Sequence, residues 1–415
     1  MSNIIQSLTS FIDTSVTAFH TTETAVRMLS EAGFEPLSDA PVRPGGAYYK
    51  VRHDAAVIAF RVPERIDDLR LISAHGDSPC YKIQATPTRT SQGCTVLNVA
   101  PYGGMIHSSF VDVPLGIAGR ISRLENGAVQ SRLIDFKRPM AMIVNPPVHL
   151  NRDINKGKAY KPLPDLQPVL SDGETDLLAL IQDTFNLPTP VIGHDLFVYS
   201  MMPVRTFGAN ETLISGPRLD DLVCAFAALS AIIDASSDAL NMIAIFNNEE
   251  VGSLSYTGAD SDFLPTLLQR IFDDMNMSAR ERTTCLEKSI VISADNAHAV
   301  HPNYPGLYAE SDRCRVNGGP VIKYSANQRY TTDAVTAAFF AGLCQAENVP
   351  YKVYENHPNQ PGGSTLGNLL NGQISIRSVD VGIAQWAMHS AYETAGTADV
   401  EMLIRVFRRY FQSHI

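Results

Sequence analysis

Five short segments of this sequence hold acidic or imidazole side chains where apolar runs end or begin: His75-Gly76-Asp77, Asp220-Asp221, Glu249-Glu250, Asp295 and His389. Taken singly, each reads as a solvated loop residue or a helix cap. Asp220 heads an apolar helix pattern, where an N-cap carboxylate is ordinary and Asp221 adds favourable charge at the helix start. Taken together, they form a set of nitrogen and oxygen ligands with no cysteine in it. Such a set suits a zinc, cobalt or manganese hydrolytic site rather than a structural zinc site.

The spacing of His75 and Asp77 lets the imidazole face a metal while the carboxylate two residues on holds the other ring nitrogen. A carboxylate such as Asp220 can bridge two divalent cations, and two adjacent acidic pairs are costly without positive charge between them. Adjacent glutamates just past a buried strand point in different directions, so one can ligate while the other acts as general base on a water. Asn247 and Asn248 before that pair, and Gly252-Ser253 after it, mark a tight polar turn rather than an open charge run. Counting His75, Asp220, Glu250, Asp295 and His389 gives two imidazoles and three carboxylates, which suits two metals sharing one bridging aspartate.

The elements that must position these residues follow from periodicity. Apolar spacing over residues 4–33 predicts two amphipathic helices, and AYYKVRH, AAVIAFRV and LRLISAH predict strands, the last ending at Gly76. Residues 88–210 are rich in Gly, Pro, Thr and Ser, with short apolar runs (IAGRISRL, SRLIDF, MAMIV) and a helix near 174–186, and read as a β-rich inserted unit. From about 217 an α/β alternation resumes: helix LDDLVCAFAALSAIIDA, strands NMIAIFN and SIVISAD, helix TTDAVTAAFFAGLCQAEN, strands PYKVYE and ISIRSVDVG, and a final helix from Val400 to about Gln412. The expectation is an α/β domain of two segments, 1–87 and 211–415, interrupted by the unit at 88–210.

With 415 residues, 45% of them hydrophobic, there is apolar material for a sizeable core, which excludes a disordered chain or a disulfide-stapled miniprotein. The net charge of −10, without a Lys/Arg-rich run, argues against nucleic acid and for small molecules or peptides as partners. Six scattered cysteines without a CxxC pair read as reduced thiols of an intracellular, cytoplasmic protein. The start of the chain lacks a secretory h-region and no stretch reaches 18 apolar residues, so no membrane association is expected.

The ordered segments SAHGDSPC, RLDDL, NNEEVGS, SADNAHAVHPNY, GPVIKYSANQRY and AMHSAYE closely resemble the aspartyl aminopeptidase family, the relatives of yeast vacuolar aminopeptidase I. SAD-x-AHAVHPN followed by GPVIK-x-x-x-NQRY is the specific part, and the likeness runs from about residue 10 to the C-terminus. The resemblance implies a three-layer α/β/α metallopeptidase domain with a central mixed sheet, interrupted by a β-rich dimerisation domain. It also implies two divalent ions per chain, zinc first, with cobalt or manganese as alternatives. His75, Asp220 and Asp295 would hold one ion, and Glu250, His389 and the bridging Asp220 the other. Glu249 would be the general base, Asp77 would orient His75, and the Asp220–Asp221 peptide would be cis.

By the same resemblance the inserted domain pairs subunits, and dimers assemble into a homo-oligomeric dodecamer. His149, in PPVHLNRDIN, would reach a neighbouring subunit's site. Lys323 would lie in the substrate pocket and favour an acidic N-terminal side chain, with the turn containing Gly363 and Ser364 lining it. The chain departs from the family at Gly76, where many relatives have threonine, at Asn247, and at Tyr392; YGGMIHSSFVDVPLGIAGR also lacks the family's Trp-rich WFDRDL segment. The expected activity is removal of an N-terminal residue from peptides, with acidic or broad preference. The competing readings are a related dinuclear deacylase or carboxypeptidase, and a non-catalytic scaffold of the same fold, against which the intact ligand set argues.

Overall fold

The run Leu69–His75 is buried at every position, as a strand covered on both faces must be. In the computed structural model, which describes residues 3–235, 239–310, 313–360 and 362–413, it lies fifth in a nine-stranded sheet. The strand order is Glu35–Pro36, Ala47–Arg52, Ala56–Arg61, Leu240–Phe246, Leu69–His75, Ile290–Ala294, Arg377–Gly382, Val321–Tyr324 and Lys352–Glu355. The four strands from Leu240–Phe246 to Arg377–Gly382 are mutually parallel, while Ala56–Arg61 and Val321–Tyr324 flank them antiparallel, so the sheet is mixed.

Alternation along each strand separates two cores. Val57, Ala59, Ile72, Ala74, Ile243, Ile245, Val379 and Val381 face the helices Asn3–Thr14, Ala18–Glu31, Leu219–Ile233, Ala334–Ala346 and Thr397–Gln412. Ile58, Phe60, Leu71, Met242, Ala244 and Phe246 face Phe263–Asp274, Ala279–Lys288 and Leu366–Ile374. The result is the expected three-layer α/β/α arrangement. The helices Phe263–Asp274 and Ala279–Lys288 were not among the elements expected from periodicity, although Ser278 and Glu281 form a capping box that marks the start of the second.

Register carries the site. Phe246 pairs with His75 at the ends of two parallel strands, and the Gly76 amide donates to the Phe246 carbonyl at 2.8 Å. The chain therefore leaves both strands side by side, bringing Asp77 next to Glu249 and Glu250. The Asp295 amide donates to the Val381 carbonyl at 2.8 Å, which sets Asp295 beyond the end of the neighbouring strand. Carboxyl ends of parallel strands are where α/β sheets place their sites.

The inserted unit is a six-stranded antiparallel sheet in the order Ala128–Asp135, Leu115–Glu125, Gly193–Ser200, Cys80–Ser91, Cys94–Tyr102 and Val169–Asp172. It has its own core around Tyr81, Leu97, Ile117, Ile121, Leu177 and Leu196. The hairpin at 125–128 turns through Asn126 and Gly127, both at positive φ, as a two-residue Asn-Gly turn requires. Its sheet begins at Cys80 and ends at Ser200, so residue 88 falls inside its first strand. The expected helix near 174–186 is present as Leu177–Thr184, whereas MAMIV makes only isolated bridges. A third, five-stranded sheet of short strands joins 205–216 to 384–396 and Ala297–His298. Among the described residues no helix is long and apolar enough to cross a membrane.

Candidate metal centre

His75 ends its strand with its side chain buried, and its Nδ1 lies 3.0 Å from the Asp77 main-chain carbonyl. A carbonyl only accepts, so Nδ1 carries the hydrogen and Nε2 is left to ligate. Nε2 is 3.8 Å from Asp220 Oδ1 and 3.9 Å from Asp295 Oδ1. The Asp77 carboxylate lies beside the same nitrogen, with Oδ1 3.6 Å from Nδ1, and it has a further task. It accepts from the amides of Glu249 at 3.1 Å and Glu250 at 3.2 Å, and from the Tyr102 hydroxyl at 2.7 Å. Asp77 thus orients His75 through its backbone and fixes the diglutamate turn through its side chain. Gly76, between them, is tightly packed: a Cβ there would meet Thr21 Cγ2 at 3.0 Å and Ile245 Cγ2 at 3.1 Å.

Asp220 and His389 form the second half of the site. His389 Nε2 lies 3.3 Å from Asp220 Oδ2 and 3.4 Å from Glu250 Oε2. The Asp220–Asp221 peptide is cis. The Asp220 carbonyl accepts from Ser78 Oγ at 2.9 Å, and its amide donates to Glu393 Oε2 at 2.9 Å. The other oxygen of Glu393 accepts the His389 amide at 2.6 Å. Arg218, Asn248 and His389 adopt left-handed φ values of 60°, 62° and 67°, so the backbone is strained beside three of the site's segments.

Lys323 is placed otherwise than expected. It is 1% exposed, and its ammonium donates to the Asp295 carbonyl at 2.7 Å, Asp295 Oδ2 at 3.1 Å and the Asn296 carbonyl at 3.2 Å. Those contacts match its three N–H groups, so none is left for a substrate carboxylate. Its position follows from strand pairing, since Val321–Tyr324 lies antiparallel to Arg377–Gly382 and the side chain points under the loop that carries Asp295. Burial alone would raise the Asp295 pKa, but Lys323 and His75 outweigh it and hold the carboxyl below its ordinary range.

The remaining acids crowd one another. Burial, reinforced by Asp295, Asp77 and Asp220 against an opposing His75, pushes Glu249 up to about 7. Burial and Asp220 raise Glu250 well above the carboxylate range despite His389, and burial with Asp295 and Asp220 does the same to Asp221. Burial disfavours charge on His389, yet Asp220 and Glu250 carry it up to about 10. Acids crowded in this way call for positive charge among them, a role that divalent ions would fill. Two further observations fit such ions: Asp220 Oδ1 and Glu250 Oε1 are buried without a hydrogen-bond partner among the described residues. The potential ligand atoms also gather as His75, Asp220 and Asp295 and as Asp220, Glu250 and His389, sharing Asp220, with a third group of His75, Glu249 and Glu250.

His149 is exposed on the inserted unit, and Gly363 and Ser364 are exposed in a loop; among the described residues none of them joins the hydrogen bonds or ion pairs of the site. Thr365, which follows that loop, instead donates to Asp380. Glu393 and Tyr102 were missed from sequence. A glutamate four residues after a candidate histidine ligand was the available signal for the first, and none was available for the second.

The chain matches the family described as aminopeptidase I zinc metalloprotease (M18) over residues 11–411. It is 36% identical to a probable M18 family aminopeptidase 2 of Ectopseudomonas mendocina over 99% of this chain and 98% of that protein. A protein of the same description from Stutzerimonas stutzeri is 37% identical over 98% of each. Among solved structures, a chain of the Ape4 and Nbr1 complex superposes with a TM-score of 0.94 at 28% identity, covering 99% of this chain and 85% of that one. Yeast aminopeptidase 1 superposes at 0.86 with 25% identity, covering 99% and 96%. A match over nearly its whole length, with full-length relatives above 35% identity, makes this chain a member of the M18 aminopeptidase I zinc metalloprotease family.

Proposed function

We propose that the protein is a two-metal aminopeptidase in which Glu249 is the general base. The observation that carries this reading is the sharing of Asp220 between the trios His75–Asp220–Asp295 and Asp220–Glu250–His389, with Glu249 beside them. The two trios would hold two divalent ions, zinc by family and cobalt or manganese as substitutes, which would supply Lewis acidity when bound. Glu249 takes the proton of the attacking water and hands it to the departing amine. Asp77 keeps that carboxylate in place by holding the Glu249 and Glu250 amides.

The substrates are peptides with a free N-terminus, and the N-terminal preference is broad, since Lys323 is engaged with Asp295 rather than open to an acidic side chain. A homo-oligomer is extended to this chain: yeast mApe1 forms a dodecamer, and here Leu124, Val129, Val148, Leu150 and Ile192 leave apolar surface exposed on the inserted unit. In that assembly the exposed His149 serves a neighbouring subunit's site. The scattered cysteines accord with a cytoplasmic location.

The test is hydrolysis of Leu-, Ala-, Glu- and Asp-p-nitroanilides by protein reconstituted with zinc, cobalt or manganese, with N-acetylated substrates as controls. Turnover of free-amine substrates alone is expected. Cleavage of blocked substrates, or of none, overturns the reading.

A further inference from the structure

Glu393 grips two of the metal-site residues at once. It is 1% exposed, in the short strand Glu393–Gly396. One carboxylate oxygen accepts the amide of Asp220 at 2.9 Å and the other accepts the amide of His389 at 2.6 Å. The two residues it joins lie far apart in sequence, and their side chains meet at the candidate metal site, with His389 Nε2 3.3 Å from Asp220 Oδ2. His389 has φ of 67°, a conformation a histidine rarely holds, and the Glu393 contact closes the short turn that keeps it there. Asp220 is held from a second side by Ser78, whereas no other hydrogen bond to the His389 amide is recorded among the described residues.

We infer that Glu393 is a positioning residue that sets the affinity of the metal site formed by Asp220, Glu250 and His389, leaving the His75 and Asp295 site comparatively unaffected. This rests on the two-metal reading above. The asymmetry follows from the contacts. Two of the three residues in the Asp220–Glu250–His389 trio hang from Glu393, whereas in the other trio only the shared Asp220 does, and Ser78 also holds it, while His75 is held by Asp77 and Asp295 by Lys323. A glutamine at 393 keeps the shape but offers one carbonyl oxygen, and its NH2 group faces an amide that also donates. One of the two ligands then loses a backbone anchor, leaving Asp220 with Ser78 or His389 with the Ile106 amide, which donates to its carbonyl at 3.0 Å.

The experiment is a zinc titration of wild type and E393Q against a competing chelator, with bound metal counted per chain and thermal midpoints of the metal-free proteins compared. Wild type is expected to bind two ions. E393Q is expected to hold one ion with unchanged affinity and the other about 10–100-fold more weakly, with a metal-free midpoint close to wild type. Excess zinc should return most of the turnover. Two ions bound by E393Q at wild-type affinities overturn the inference while leaving the two-metal reading standing. Equal weakening of both ions also overturns it, because that marks general destabilisation. Fewer than two ions on wild type itself overturns the two-metal reading, and this inference with it. Should E393Q not fold, E393D, which keeps both oxygens on a shorter stem, carries the same measurement and the same outcomes.

Discussion

Lys323 Nζ lies 2.7 Å from the Asp295 carbonyl and 3.1 Å from Asp295 Oδ2, an ion pair buried beneath the metal site. Removing the ammonium leaves Asp295 charged among other acids, so K323M is expected to destabilise the metal-free protein by about 3–5 kcal/mol. It should weaken zinc binding and lower kcat/KM for Glu- and Leu-terminal substrates by the same factor. A loss confined to acidic substrates, with zinc affinity intact, would restore Lys323 as a selector of substrate.

Glu249 belongs to neither of the two trios that share Asp220, and enters only the third group, with His75 and Glu250. E249Q is expected to keep its metal, read by elemental analysis, and to lose roughly 10²–10⁴-fold in kcat. Retained turnover would remove it as the base; lost metal would make it a ligand instead.

Asp77 joins the Tyr102 hydroxyl to the diglutamate turn. D77N forfeits one acceptor oxygen and should lower kcat by about 10–100-fold. Y102F removes two hydrogen bonds of about 1 kcal/mol each, one donated to Asp77 and one accepted from Asn248 Nδ2 at 2.9 Å; only the first reaches the carboxylate, and the substitution should cost roughly fivefold. Equal effects of the two substitutions would show that the turn does not depend on the carboxylate.

Stripping the ions should lower thermal stability, because the buried acids then face one another. At zinc concentrations about 100 times the dissociation constant the recovered stabilisation is roughly 2.7 kcal/mol per ion. A thermal midpoint indifferent to chelator and to added zinc would contradict the cation role of the site.

Asp399, at the start of the last helix, is fully buried and accepts the amides of Asn317 at 2.6 Å and Gly319 at 2.8 Å. Burial outweighs those bonds and pushes its carboxyl up to about 7 from 3.8. The native state therefore holds this proton more tightly than the unfolded chain, and unfolding releases it. Its contribution to stability is fully present below about pH 4, falls as the pH rises toward 7 and is level above that. Relative to wild type, D399N should gain on the order of 2–4 kcal/mol between pH 4 and 8. Urea unfolding of both proteins across that range measures it, and a difference independent of pH would refute it.

Much of the fold was legible because the signals are local. Leu69–His75 and Leu240–Phe246 are continuous apolar runs, and Leu219–Ile233 carries a helix-length apolar pattern. The polar residues that follow the strand runs became the site, and His75, Asp220, Glu250, Asp295 and His389 were readable from residue type and order. The helices Phe263–Asp274 and Ala279–Lys288, and the start of the inserted sheet at Cys80, were harder. Composition changes gradually where one unit's strand continues directly from the other's.

The sequence by itself determined which elements form and which side chains could bind metal, since periodicity and side-chain chemistry are properties of neighbouring residues. Tertiary structure alone decided what each buried charge meets. Lys323 sits 28 residues from Asp295, and Asp220 sits 173 from Glu393. Partners so distant are chosen by sheet order and register, and a buried charge takes whichever acceptor or donor the fold brings within reach.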